Sequence, residues 1–160
     1  MMPKNEMMAL SMWQPWASLV SVEAKKWETR GWSTNYRGPL AIHAAKRWTI
    51  DQKFLINCWP FQAALGPLVG QPVDLTGRRW WGVETEHLPF GAVIAVCELV
   101  DCIKTDGMTQ AQIGTDRPFG DFSLGRYAWK LENMRRLPVP IPAVGRQGLW
   151  KWQVPEGVAV

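Results

Sequence analysis

KKWETRGWSTNYRGPLAIHAAK, residues 25–46, changes character halfway along. Its first part sets Lys25, Lys26, Arg30 and Arg37 around one carboxylate, Glu28, and among the flat rings of Trp27, Trp32 and Tyr36. A segment made for a core would carry more aliphatics, and one made only for solvent would carry no tryptophan. On an extended chain, alternation puts Glu28, Arg30 and Trp32 on one face and Trp27 and Thr29 on the other. NYRG then reads as a turn. PLAIHAA reads as a strand with Leu40 and Ile42 on the same side.

The flanking sequence extends this pattern in both directions. Upstream, ALSMW (9–13) is a short apolar run of strand type, and Pro15 suits the first turn of a helix. Trp16, Leu19, Val20 and Ala24 recur at helical spacing, and Lys25 and Lys26 follow where cations favour the negative end of the dipole. Downstream, TIDQKFLINCWPFQAAL predicts a helix starting at Thr49 or Asp51 and interrupted at Pro60. From Gly66 to Leu88 glycine, proline and charge mark an excursion, with GRRWW (77–81) at its tip. GAVIAVCELVDCI (91–103) is a long β-branched run and predicts a central strand. Residues 104–125 read as polar loop, RYAWKLEN (126–133) as a strand and GLWKWQV (148–154) as the last one. The prolines of LPVPIP bar that stretch from central pairing. Short strands with a few helices predict an α+β architecture, a small, mostly β barrel with helices packed at its ends.

A length of 160 residues suits one domain over 1–160, with an insertion at about 50–88. Hydrophobic residues at 47% and charged residues at 20% exclude wholesale disorder. The net charge of +4 permits an anionic partner without requiring one. Its distribution says more. Lys25, Lys26, Arg30, Arg37, Lys46 and Arg47 form one basic segment, and Arg126, Lys130, Arg135, Arg136, Arg146 and Lys151 a second, on either side of a net acidic middle. If the two meet, they make a positive face.

Cys58, Cys97 and Cys102 are odd in number and lack CxxC spacing, so neither a disulfide framework nor a zinc knuckle is indicated. His43 and His87 are too isolated for a metal cluster, and no cofactor is expected. MMPKNEMM lacks an apolar signal core and no apolar run approaches a membrane span, so a reducing cytoplasm is the expected setting. Most of the eleven tryptophans should be packing. Trp27, Trp32, Trp48, Trp80 and Trp81 adjoin basic residues and are candidates for base stacking. Period two also places Glu98 with Ile94, Val96 and Val100. A carboxylate among aliphatics needs a partner, and Lys25 or Arg30 would serve if it faced a cleft.

LSMWQPWASLV, KKWETRGW, NYRGPLAIHAAK, FGAVIAVCELVDC, YAWKLEN and PIPAVGRQGLWKW, in that order, resemble the ASCH family, the activating-signal-cointegrator homology domain. The specific part is QPWA followed by K-x-x-E-x-R-x-W (Lys25, Glu28, Arg30, Trp32) and YRG-PL-IHA. The resemblance covers nearly the whole chain outside the 50–88 excursion. It implies a PUA-like, mostly antiparallel β-barrel with flanking helices, and a cleft suited to RNA, single-stranded nucleic acid or a modified nucleoside. Lys25, Lys26, Arg30, Trp32, Arg37, Lys46 and Arg126 are the binding candidates, with cations for phosphates and flat faces for bases. Glu28 would accept from an exocyclic amine or orient Lys25 and Arg30; the sequence leaves both open.

Two enzymatic alternatives attach to the same cleft. A metal-independent ribonuclease needs a base, a cation and an acid, for which Lys25, Lys46, Tyr36 and Ser123 are candidates, with Glu98 or Glu28 as acid–base partner. The small amidohydrolases of the resembled family that deacetylate N4-acetylcytidine carry K-x-x-T-x-R with a threonine nucleophile. Here Glu28 stands in the threonine's place, and a carboxylate cannot replace that hydroxyl. Passive recognition of nucleic acid is therefore the leading expectation, the nuclease the second and the amidohydrolase the third.

Overall fold

The computed structural model describes residues 5–69 and 83–160, so Trp80, Trp81 and the GRRWW tip lie outside the described residues. One sheet contains β1 (Glu6–Met12), β2 (Trp27–Arg30), β3 (Gly38–Ala44), β4 (Ala92–Lys104), β5 (Tyr127–Pro142) and β6 (Leu149–Gln153). Their spatial order is β2-β5-β4-β3-β1-β6, curled into a half-barrel, and every neighbouring pair is antiparallel except β1 with β3. This is the expected α+β, PUA-like arrangement.

β4 is central as its β-branched sequence requires, paired with β3 on one side and β5 on the other. Its phase is not what simple alternation gives. Against β3, the two steps from Val93 to Ala95 oppose the single step from Ile42 to His43, and this bulge resets which face the following side chains take. Ile94, Cys97 and Leu99 join the core that also holds Leu10, Ile42 and Trp129. Val93 and Val96 join a second core on the other face, with Ala9, Ala41, Trp150 and Trp152. Ile94 and Val96 are thus separated, and Glu98 is exposed beyond the second core, where Asn133 Nδ2 donates to it at 2.8 Å.

β5 runs on through the proline-rich stretch. From Arg135 to Pro142 it pairs with β4 alone, because β2 covers only Tyr127–Lys130. The prolines therefore face an open edge, where a missing N–H costs no ladder bond.

α1 (Trp16–Ser21) is too short to hold itself and depends on burial of Ala17 through Ser21. Gln14, wholly buried, ties its start to the chain ahead of β4: Oε1 accepts from Ser18 N and Nε2 donates to Pro89 O. The helix ends earlier than its apolar spacing predicts. Ala24 N and Lys25 N both donate to Leu19 O, and Glu23 takes the left-handed φ of 61°. The turn sends Lys25 inward instead of leaving it on a solvated helix end.

α2 (Ile50–Leu55) starts at Thr49, as expected, with a reciprocal capping box to Gln52. With α3 (Phe61–Ala64) and α4 (Gly66–Val69) it supplies a third core around Leu19, Ile56, Phe61, Leu65 and Phe119. Residues 104–125 are more ordered than a polar loop. They contain 3-10 turns at Thr105–Gly107 and Gly114–Phe119 and α5 (Gln110–Ile113), capped by Thr109 with Gln112.

His43 is a packed histidine. Its Nε2 donates to Ala143 O at 2.8 Å, which leaves Nδ1 to accept from the Ser11 hydroxyl at 3.1 Å. Trp150 Nε1 donates to the same hydroxyl, and the indole meets the imidazole edge-on. Gly145 is required beside them, since a Cβ there would collide with the ring and with Ser11 Oγ. Burial lowers the pKa of His43 from its ordinary value of 6.5. A base whose folded pKa is depressed takes up fewer protons than the unfolded chain. Its contribution is complete above about pH 6.5 and falls as the pH drops below that value. Urea midpoints should accordingly decline from pH 7.5 to 5.0, and His43→Gln, less stable at neutral pH, should show a shallower decline. An unchanged slope in the variant would show that other groups set it.

Candidate functional site

A cavity of about 610 Å³ opens where β1 ends, β2 runs and residues 118–121 pass overhead. Lys25, Glu28, Arg30, Asp121 and Arg126 supply its charged lining. Its apolar wall is a relay of edge-to-face rings: Trp16 on Phe61 at 6.4 Å between centroids, and Phe61 on Phe119 at 5.1 Å. Such pairs hold one another in place, so the wall is preformed.

Lys25 is only 2% exposed. Its ammonium donates to Trp27 O at 2.6 Å and Phe119 O at 3.0 Å, and stands 3.6 Å from Glu28 Oε2. Two carbonyls thus accept from the ammonium, and the carboxylate adds an ion pair. Burial pulls the Lys25 pKa down, opposed by the carboxylates of Glu28 and Asp116. The other Glu28 oxygen accepts from Arg30 Nε at 2.8 Å, and Arg30 Nη2 donates to Ser11 O at 2.8 Å. Of the two roles open to Glu28, orienting Lys25 and Arg30 is the one seen in the fold.

Asp116 anchors this cluster from outside the cavity. One oxygen, Oδ2, accepts both Lys26 N and Trp27 N at 2.7 Å each, and Trp27 Nε1 donates to Gln112 O at 3.1 Å. Burial raises the Asp116 pKa, and the two N–H groups counter it. Across the cavity, Arg126 Nη2 donates to Thr29 O at 3.4 Å. Its Nε lies 3.3 Å from Asp121 Oδ2, near enough for an ion pair but not aligned as a hydrogen bond. The Asp121 carboxyl is held low by Ser123, whose hydroxyl and N–H both donate to it.

Of the residues the sequence singles out, Lys25, Glu28, Arg30 and Arg126 come together here. The others lie outside the lining. Glu98 faces solvent beside Asn133. Lys26 is exposed on a separate groove with Asp101 and Lys130. Trp32 leaves its strand after Gly31 and packs edge-on against Trp129, 4.6 Å between centroids, so it does not share the face of Glu28 and Arg30. Arg37 pairs with Asp101 at 3.5 Å, and the Tyr36 hydroxyl donates to Pro39 O. Lys46 lays its stem over Gly91. Ser123 is committed to Asp121. Trp27 is buried against α5 and Trp48 packs on Phe90. In the second basic segment, Lys151 pairs instead with Glu6 at 3.0 Å.

The sequence reading missed Trp13, Phe61, Phe119, Asp121 and Asp116. Trp13 lies inside the quoted LSMWQPW stretch, directly after a strand end, which was its available signal. The two phenylalanines look like any core residue, and nothing in the spacing of TDRPFGD marks its aspartates. Among the described residues no three His, Cys, Asp or Glu side chains are grouped to hold a metal ion, and no helix is long and apolar enough to cross a membrane.

The sequence model of the ASCH domain matches residues 10–139, from β1 through most of β5. Among curated proteins, the chain is 28% identical over 143 residues to "Activating signal cointegrator 1" of Mus musculus and 27% identical over 143 residues to the Homo sapiens protein of that name. Those alignments take in 89% of this chain and 22% of each relative, so the chain spans about a fifth of their length.

Proposed function

This chain belongs to the ASCH domain family, and on that premise we propose that it binds nucleic acid, its cavity receiving an unpaired RNA segment or a modified nucleoside without turning it over. The family is associated with nucleic-acid binding. The observation that carries the reading is one cavity of about 610 Å³ that joins the guanidinium groups of Arg30 and Arg126 to the wall of Trp16, Phe61 and Phe119. Its volume lies within the range of ligand pockets, about 300–1,000 Å³. Guanidinium groups take phosphate oxygens and aromatic walls take base faces.

Binding is favoured over catalysis by what the candidate catalysts are already doing. A general base needs a free lone pair within reach of the proton it removes. Lys25 donates to Trp27 O and Phe119 O and is ion-paired with Glu28, while Lys46, Tyr36 and Ser123 lie outside the cavity lining. Glu28, held between Lys25 and Arg30, offers no hydroxyl for acyl transfer. A reducing cytoplasmic setting is part of the same proposal, supported by the free cysteines Cys58, Cys97 and Cys102. Burial pushes the Cys97 thiol up to about 12, which leaves it inert.

Labelled single-stranded RNA, incubated with the protein in EDTA and followed by gel shift, tests this reading. We expect a shifted, intact RNA whose affinity falls with salt, and a weaker, less salt-dependent shift for Arg126→Ala. Metal-independent cleavage would establish the nuclease instead. The absence of a shift at low salt would remove nucleic acid as the partner.

A further inference from the structure

We propose that Trp13, backed by Arg47, is the platform on which an unpaired base stacks at the cavity, with Arg47 receiving the phosphate of the same nucleotide. This rests on the nucleic-acid reading above and names the two residues that would hold the unpaired base.

The pair is a product of the sheet. β1 and β3 are parallel neighbours in register from Met8 with Leu40 to Met12 with Ala44, and Ala45 N donates to Met12 O at 2.9 Å. The two chains therefore leave the sheet side by side, which brings Trp13 and Arg47 to one edge. There the Arg47 guanidinium carbon sits 4.3 Å from the centroid of the indole. Trp13 lines the cavity and is 49% exposed.

About half of the Trp13 indole surface is thus left open at a charged cavity, where a flat ligand can cover it. Among the described residues, the other exposed tryptophans lack its setting. Trp59 is 72% exposed but does not line the cavity, and Trp32 lies edge-on against Trp129. With the guanidinium on one side of the ring, a ligand base stacks on the other, and the cation–π contact holds the platform still. Arg47 is itself exposed, and among the described residues no carboxylate pairs with it, so its charge is free for an anion. A base inside a duplex already has both faces covered, so this arrangement selects single strands and loops.

The test uses fluorescence anisotropy of a short labelled single-stranded RNA at several salt concentrations, with the matching duplex as competitor. Wild type is compared with Trp13→Ala, Trp13→Phe, Arg47→Ala and Trp59→Ala, each checked for an unchanged thermal transition. Trp13→Ala should lose about 10- to 100-fold in affinity, Trp13→Phe should keep most of it, and Trp59→Ala should match wild type. Arg47→Ala should bind more weakly, with a salt dependence shallower by about one released counterion. The duplex should compete poorly. If wild type binds while Trp13→Ala binds equally well, the platform is refuted and the broader reading stands; if the duplex competes as well as the single strand, the platform is refuted and only nucleic-acid binding without regard to strandedness is left. If wild type binds no RNA, the reading beneath it fails first.

Discussion

Replacing Lys25 with methionine should lower the free energy of unfolding by about 3–5 kcal/mol, the scale for removing one partner of a buried ion pair. The substitution keeps most of the stem and deletes the charge. Trp27 O and Phe119 O then lose a buried donor, and Glu28 loses the ammonium at 3.6 Å while Arg30 remains. Urea denaturation with a constant m-value is the measurement. A cost below about 1 kcal/mol would mean that water already reaches the ammonium.

Lys25 also illustrates where sequence information stops. The spacing of Lys25, Glu28 and Arg30 correctly gathers three residues that the fold joins by direct bonds. Their types and short separation were enough for that. Burial of Lys25 was not legible, because it depends on where α1 stops, and two amide N–H groups closing on Leu19 O are a tertiary outcome of the turn at Glu23. β4 behaves likewise. Its β-branched run announced a central strand, yet the bulge at Val93–Ala95 was silent, and it put Ile94 on the face opposite Val96, while Glu98 lies outside the lining of the cavity of Lys25. Trp32 was assigned by alternation to a strand that ends at Arg30, so its ring turned to Trp129 instead. The aromatic wall gave no local signal, since Trp16, Phe61 and Phe119 come from three distant segments and look in sequence like core.

Asp116→Ala should cost roughly 2–4 kcal/mol and should weaken RNA binding although Asp116 touches no part of the cavity. Its Oδ2 is the acceptor for Lys26 N and Trp27 N, so alanine strands two backbone donors at the entry to β2. Each buried donor left alone costs about 1–3 kcal/mol. The same bonds fix the residue after Lys25 and the residue before Glu28, and so set the spacing of the cluster. Because both N–H groups converge on one oxygen, Asp116→Asn can present its amide oxygen to them and should keep most of the stability. It gives up only the attraction of the carboxylate to Lys25 and Lys26. Urea unfolding of the two variants side by side separates the contributions. Alanine and asparagine equally damaging would show that charge, not the shared acceptor, holds β2 to residues 110–119; a harmless alanine would show that Trp27 Nε1 on Gln112 O suffices alone.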